Sequence, residues 1–299
     1  MKSAFLAAIL ILYSGNLDPA LAGKSGVEAQ VRSFYVLNSK VEQGGTLVFQ
    51  INPQWMPPAS EISGPTIFIF EKHYKPNEEG RVFVGVGLDI EPGKYDATFN
   101  ENGLWVCCDK EEIEVLVTTF EKTRTSRYTG KPTLRTDRQK RDINKAFDNA
   151  MKSDGANDLT EGLGFVDPLC FARDVIDSFG FIYKNNSYRK HEGVDLRVPV
   201  GIPVRAVNGG KVILVARNFR AEGNMIILNH GLGIFSVYMH LSKFHIKQGD
   251  IVKREQLIAS SGRTGAGVRE PHLHFKIKIH DVYVDPLKFI ETVNQYLSR

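Results

Sequence analysis

The sequence predicts a mainly β protein, and three observations support that prediction. Short segments rich in β-branched and aromatic residues recur in both halves of the chain, separated by clusters of glycine, proline and asparagine. Helical periodicity is confined to one stretch in the middle and one at the end. A hydrophobic content of 42% is enough for real cores, and residues 23–299 suit two or three domains of ordinary size.

The first 22 residues predict a cleaved signal peptide. Lys2 supplies a positive start, residues 4–13 form an apolar stretch, and Ala20-Leu21-Ala22 is a small-x-small cleavage site. The apolar stretch is too short to span a bilayer, and Asn16 and Pro19 follow it closely. We therefore expect export without a membrane span, either to the periplasm or as a secreted protein.

Residues 23–121 predict a β-sandwich of immunoglobulin-like type. Turn clusters such as Pro92-Gly93 and residues 100–103 separate its short strands. We recognise no catalytic cluster in this segment. The predicted strands cover residues 31–37, 46–51, 66–71, 82–87, 94–99 and 113–120.

Residues 122–164 predict a basic linker followed by a helix. Lysine and arginine outnumber acidic residues between positions 122 and 145, and the segment 129–132 contains the helix breakers Gly130 and Pro132. Asp137 is expected to cap a helix that runs to about Met151. The apolar face of this helix comprises Ile143, Ala146, Phe147 and Ala150. The basic run is either a solvated face or a contact with an anionic glycan, teichoic acid or phospholipid.

Residues 165–299 predict a second β-rich domain with one terminal helix. Asp285 and Pro286 are expected to begin that helix, which runs to Leu297. Glycine-containing turns at 208–210, 230–231 and 248–250 are typical of tight hairpins. The predicted strands cover residues 203–207, 211–216, 225–229, 234–240, 252, 256–260 and 273–279.

Five residues of this last domain form a candidate hydrolytic centre. His272 and His274 are two apart, so a strand places both imidazoles on one face. His191 and Asp195 enter a strand that continues with apolar residues, where an unpaired carboxylate is costly and a cation is its natural partner. His240 supplies a further imidazole at the end of a strand. Two imidazoles and a carboxylate are a ligand set for hydrolytic Zn²⁺, and the remaining two histidines are candidates for proton transfer.

Three ordered motifs resemble those of a known family: His191-Glu-Gly-Val-Asp195, Tyr238-Met-His240-Leu and His272-Leu-His274. Through them the stretch 174–289 resembles the lysostaphin/LytM-type zinc metallopeptidases, which hydrolyse peptide bonds in bacterial peptidoglycan. The resemblance implies a curved antiparallel sheet of the duplicated-hybrid-motif type. It also implies that His191, Asp195 and His274 bind Zn²⁺, while His240 and His272 form an unliganded catalytic pair.

Three positions depart from the family's pattern. Glu270 stands where glycine is frequent, Lys276 where an acid is common, and Phe181 where arginine is frequent. Glu270 is expected either to shape the groove or to pair with the neighbouring Arg269. These departures concern the substrate rather than metal binding.

The sequence thus predicts an exported zinc metalloendopeptidase that hydrolyses the peptide cross-links of peptidoglycan with metal-activated water. The alternative is a catalytically weak or inactive relative that activates or regulates other cell-wall hydrolases and therefore has a regulatory protein partner. A formal net charge of +4 suits an anionic cell wall, and no nucleic-acid recognition motif accompanies it.

Two further questions stay open at the level of sequence. The amino-terminal β domain and the basic linker either bind wall polymer or cover the groove. Cys107, Cys108 and Cys170 are compatible with small buried thiols and with one bridge from the adjacent pair to Cys170, so no disulfide is predicted.

Overall fold

β-Strands are the predominant secondary structure among the described residues, as the alternating sequence pattern predicts. The computed structural model describes residues 32–56, 64–101, 104–120, 123–124, 135–154, 164–170, 174–184 and 187–297. Ser33–Arg299 form one unit, and the predicted signal peptide lies outside the described residues. The predicted mainly β fold with antiparallel sheets is confirmed.

The amino-terminal half folds into two sheets that enclose one core. The three-stranded sheet has the order β1 (Phe34–Val36), β3 (Thr46–Ile51), β6 (Arg81–Gly85). The five-stranded sheet has the order β2 (Lys40–Glu42), β8 (Leu104–Leu116), β7 (Gly93–Glu101), β4 (Thr66–Ile69), β5 (Lys72–Tyr74). Side chains such as Phe49 and Phe99 meet between them and are fully buried. Two sheets around one core are a sandwich, while its immunoglobulin-like type stays a prediction.

The predicted middle helix is present as α1 (Asp137–Asp154). Asp137 as the capping residue is wrong, because Thr136 occupies that position. The Thr136 hydroxyl accepts from the Gln139 amide (3.2 Å), and the Gln139 side chain accepts from the Thr136 amide (3.0 Å). This reciprocal pair is a capping box, which satisfies two amides that the first turn leaves without partners.

The carboxy-terminal half is built on one antiparallel sheet. Its order is β10 (Val175–Asp177), β13 (Val194–Arg197), β21 (His272–Ile279), β17 (Ile234–Met239), β16 (Gly223–Asn229), β15 (Gly210–Phe219), β19 (Ile251–Val252), with β22 (Val282–Val284) paired to β21. Two small sheets flank it. They are β12 (Ser187–His191), β11 (Gly180–Lys184), β9 (Thr123–Arg124), and β14 (Pro203–Arg205), β20 (Leu257–Ser260), β18 (Lys243–Phe244).

The two faces of this main sheet pack against different partners. Alternate residues of β21, including Leu273 and Phe275, enter a core that extends to α2 (Pro286–Leu297) and to Val48 and Phe83 of the sandwich. The opposite face carries His272 and His274 and, farther along, packs against α1. Strand alternation therefore separates a structural face from a face that carries chemistry.

The terminal helix is confirmed, and the turn predictions are partly wrong. Asp285 Oδ1 accepts from the Leu287 amide at 3.0 Å, as expected of a capping residue. The turn at 230–231 connects the paired strands β16 and β17, so this hairpin is confirmed. The glycines at 208–210 and 248–250 instead connect strands of different sheets, because their neighbours pair with distant segments.

The structure also bears on the predicted absence of a membrane span and on the state of the cysteines. None of the helices in the described parts of the chain is long and apolar enough to cross a membrane. Cys170 carries a free, exposed thiol, whereas the side chains of Cys107 and Cys108 fall outside the described residues.

Candidate metal centre

Asp195 and His274 are brought together by the backbone ladder of the main sheet. They are direct partners in the antiparallel pairing of β13 with β21. Their neighbours Leu196 and Leu273 are fully buried on the other face of the sheet. The hydrophobic alternation therefore fixes the register and turns the carboxylate and the imidazole to the same side.

His191 reaches this pair from a different sheet. It is the last residue of β12, and the chain then passes through Glu192 and Gly193 into β13. At Gly193 the backbone lies so close to β21 that an added Cβ would be 2.5 Å from the Phe275 carbonyl oxygen. Glycine thus permits the close approach that brings His191 beside His274.

His240 and His272 complete the group on the same face. His240 follows the last residue of β17 and adopts a left-handed backbone with φ of 64°, which turns its ring toward His272. The ring centroid of His240 lies 4.7 Å from that of His272 and 6.0 Å from that of His274. The structure therefore brings together all five residues that the sequence singles out.

The donor atoms of three of these residues suit a tetrahedral metal ion. His191 Nε2, Asp195 Oδ1 and His274 Nδ1 all lie within 4.8 Å of one another. His191 Nε2 is 3.4 Å from Asp195 Oδ1 and 3.2 Å from His274 Nδ1. Tetrahedral zinc with bonds of about 2.0–2.1 Å places donors roughly 3.3 Å apart. The third distance, from His274 Nδ1 to Asp195 Oδ1, is 2.5 Å and corresponds to a hydrogen bond. These two atoms would have to move apart by somewhat less than about 1 Å to bind one tetrahedral ion together.

Backbone carbonyls fix the tautomers of three histidines. Nδ1 of His191 donates to the Ser178 carbonyl (2.7 Å), Nδ1 of His240 to Thr264 (2.9 Å), and Nδ1 of His272 to Glu270 (2.8 Å). A carbonyl only accepts, so each Nε2 keeps its lone pair in the neutral ring. Such outer contacts orient metal ligands and catalytic imidazoles. In His272 this Nε2 is buried and has no hydrogen-bond partner among the residues that the structure describes.

The electrostatics of the group favour a bound cation. Burial alone would raise the pKa of Asp195, but His191 and His274 lower it well below its usual value, so the carboxylate is ionised. Burial lowers the pKa of His240 to about 3, helped by His272, and burial lowers that of His274 to about 4. Burial lowers the pKa of His191 too, but the neighbouring Asp195 outweighs it and raises that pKa above its ordinary value. At neutral pH the site therefore presents an anion beside the neutral imidazoles of His240 and His274 in a nearly dry environment.

Helix α1 packs on the face of the sheet that carries the histidines. Phe147 is buried against Phe235, with ring centroids 5.0 Å apart, and Lys278 Nζ lies 4.1 Å from the Phe147 ring centroid. The same cluster includes Met239, the ladder partner of His274. Beside the helix a groove of about 600 Å³ remains between α1 and β15.

The structure also adds charged contacts that the sequence leaves undecided or unmarked. Glu270 pairs with Arg197, with 3.4 Å between Oε2 and Nη1, a partner that no sequence motif indicated. Lys276 is buried and pairs with Glu192 at 3.2 Å. Arg135 contacts the buried side-chain carboxylate of Glu222. The backbone carbonyl of Glu222 accepts a hydrogen bond from the backbone amide of His240. No motif marked Glu222, because a lone acid carries no spacing signal.

The sequence profile of peptidase family M23 matches residues 189–286. The chain is 40% identical over 98 residues to the peptidoglycan DD-endopeptidase ShyB of Vibrio cholerae serotype O1, covering 33% of this chain and 22% of that protein. It is 37% identical over 107 residues to lysostaphin of Staphylococcus simulans, covering 34% of this chain and 22% of that protein. The chain thus spans less than a quarter of the length of either relative.

The similarity to one solved structure extends beyond the matched segment. A crystal structure from Pseudomonas aeruginosa, described as an M23 peptidase, aligns with a TM-score of 0.60 and 25% sequence identity. The alignment covers 83% of this chain and 94% of that chain. An alignment of this extent must include residues of the amino-terminal half of the chain.

Proposed function

Because residues 189–286 match the profile of peptidase family M23, we propose that this chain is an exported zinc metallopeptidase that hydrolyses peptide cross-links of bacterial peptidoglycan. The observation that supports this proposal most is the convergence of His191 Nε2, Asp195 Oδ1 and His274 Nδ1 within 4.8 Å. An ionised carboxylate that is 2% exposed is costly without a cation, and the donors suit zinc. The similarity to ShyB, which is named a peptidoglycan DD-endopeptidase, supports a peptidoglycan substrate.

His191, Asp195 and His274 would hold the ion, and binding would displace the proton shared by His274 and Asp195. When bound, zinc supplies a Lewis acid that polarises the scissile carbonyl and lowers the pKa of water to about 7. The buried site keeps bulk water away from the charges that develop during amide hydrolysis.

His240 and His272 would carry the proton transfers. Each ring uses Nδ1 to donate to a carbonyl, so Nε2 is free to accept a proton from the attacking water. An imidazole that has accepted this proton can return it to the leaving amine. The other ring, when protonated at Nε2, can donate to the oxyanion. Both His240 and His272 start from the same tautomer, with Nε2 free to take up the proton that either role requires.

The five intact positions favour an enzyme over the alternative of an inactive regulator. A regulator needs no free lone pair beside the metal donors, whereas His272 Nε2 is buried here and finds no hydrogen-bond partner in the described part of the chain. The chain's similarity to its curated relatives covers a minor part of each of them, so the substrate and the export route belong to the proposal.

Digestion of purified sacculi tests the proposal. Full-length protein with zinc should release soluble muropeptides, identified by mass spectrometry, with new peptide termini at the cleaved cross-links. A chelator should abolish the release, and added zinc should restore it. Intact sacculi after incubation with zinc-loaded protein, together with stimulation of a second wall hydrolase, would support the regulator instead.

A further inference from the structure

The three donors of the metal centre are held by two different sheets. Asp195 and His274 face each other in one antiparallel ladder, whose backbone hydrogen bonds fix their separation. His191 ends β12, a strand of the separate sheet β12-β11-β9. No ladder joins β12 to β21 among the described strands. The position of His191 relative to His274 therefore depends on the short connection through Glu192 and Gly193 to β13 and on the contacts made near that junction.

An ion pair lies at this junction. Lys276 Nζ donates to Glu192 Oε2 at 3.2 Å. Glu192 directly follows His191 in the chain, and Lys276 lies two residues after His274 on the same face of β21. The pair thus connects the two segments at the points where they present their imidazoles.

Lys276 is enclosed in a way that is uncommon for a lysine. Its side chain is 7% exposed, and its Nζ lies 4.3 Å from the ring centroid of Tyr283. Its stem packs against the junction, because a Cβ on Gly193 would lie 2.7 Å from Lys276 Cγ. Enclosing an ammonium costs free energy that one half-exposed carboxylate repays poorly, so the pair is a weak source of stability. Its geometry favours a different role, which is the placement of a ligand.

We propose that Lys276 and Glu192 are positioning residues that hold His191 at ligand distance from Asp195 and His274. This inference rests on the metal centre of the proposed function. The ammonium draws Glu192 toward β21, and the short connection between Glu192 and His191 transmits that position to the imidazole. The hydrogen bond from His191 Nδ1 to the Ser178 carbonyl fixes the ring from the other side.

Zinc affinity of the full-length chain tests this role directly. Competition with a chromophoric chelator should show zinc binding about 10–100-fold weaker in Lys276→Met and in Glu192→Gln, the range expected when an outer contact of a metal site is lost. The cobalt-substituted variants should also show an altered visible spectrum, which reports ligand geometry. Lys72→Met is the matched control, because it breaks the 2.7 Å pair with Asp281 and leaves the residues beside the ligands intact.

A double variant separates a pair from two independent effects. If both residues act through one contact, Lys276→Met combined with Glu192→Gln should bind zinc no more weakly than the worse single variant. Unchanged zinc affinity and an unchanged cobalt spectrum in both single variants would overturn the proposal. A constant affinity with a rise in KM alone would overturn it as well, since Lys276 would then contact the substrate.

The two proposals fail in different ways. Zinc-loaded parent protein that leaves sacculi intact contradicts the peptidase function, while the affinity series still decides the role of the ion pair. Active parent protein with unaffected variants contradicts only the positioning role. Thermal unfolding of each variant shows whether the chain is still folded under the conditions of the affinity measurement, so that a loss of zinc affinity is not caused by unfolding.

Discussion

Nδ1 of His274 lies 2.5 Å from Oδ1 of Asp195, and the two residues are direct partners across the ladder of β13 and β21. Backbone register alone therefore sets the separation of two donors before any ion binds. A slip of one residue would turn one of them into the core, where Leu196 and Leu273 are fully buried. The hydrophobic core of this domain and its metal centre are specified by the same alternation.

Replacing Asp195 should abolish zinc binding and hydrolysis. Asp195→Ala removes the anionic donor, and Asp195→Asn keeps its shape but removes the charge that a divalent ion needs. Zinc content after dialysis should fall from about one ion per chain to near zero. Asp174→Asn is the control, because this carboxylate lies one strand away with a side chain that is 83% exposed. Full zinc occupancy in Asp195→Ala would exclude Asp195 as a ligand.

His240→Ala and His272→Ala should keep zinc and lose turnover. These rings lie beside the three donors without belonging to them, so their loss removes proton transfer rather than the ion. We expect kcat to fall by about 10²–10⁴, the usual contribution of a positioned acid or base. His245→Ala, at an exposed histidine, should leave both quantities unchanged. Loss of zinc from the His272 variant would instead make His272 a ligand.

The sequence predicts the residues of the site better than their surroundings. The spacing of His272 and His274 sets their common face, and the strand that leads to His240 ends within one residue of its predicted end. The carbonyls of Ser178, Thr264 and Glu270 carry no comparable signal, because every residue type has one. Local sequence reveals neither their position nor the tautomers that they select.

Tertiary packing explains the other differences. The apolar face of α1 is visible in the spacing of Ile143 and Phe147, but its partner on the sheet is not. Glycine at 208–210 and 248–250 marks turns correctly, yet whether the flanking strands pair depends on distant segments. Thr136 precedes Gln139 by three residues, which is the spacing of a capping box. The adjacent Asp137 is also a common capping residue, so the sequence alone offers two candidates for this position.

Acid should destabilise the metal-free protein partly through His240. Burial and the neighbouring His272 lower the pKa of His240 to about 3 in the folded chain, against an ordinary value of 6.5. The unfolded chain therefore binds more protons between these two values, and the free energy of unfolding falls as the pH drops through that window. Urea unfolding of His240→Asn with a chelator should show a shallower decline between pH 6.5 and 4. A decline as steep as that of the parent would contradict this assignment.

Detaching α1 from the sheet should increase hydrolysis if the helix covers the substrate groove beside the metal centre. Phe147 lies on the buried face of α1 and is 4% exposed, and its replacement by alanine would remove apolar burial and the contact with Phe235, a loss of about 3–5 kcal/mol. Phe147→Ala should release muropeptides faster than the parent and make α1 more sensitive to limited proteolysis. Asn144→Ala, on the exposed side of the helix, should change neither readout. Detachment without faster hydrolysis would assign α1 a purely structural role.

Gly193→Ala should weaken zinc binding by moving His191. An added Cβ would lie 2.5 Å from the Phe275 carbonyl oxygen, 2.7 Å from Lys276 Cγ and 3.1 Å from His274 Nε2. The lysine stem can yield, but the carbonyl belongs to the central ladder of the sheet, so the junction itself must move away from β21. His191 moves with it, and zinc affinity should fall by about tenfold or more. Gly87→Ala is the control, because its nearest neighbour would lie at an ordinary 3.4 Å. Parental affinity in Gly193→Ala would mean that the connection between Gly193 and His191 absorbs the displacement, and the close approach would then not be what places the imidazole.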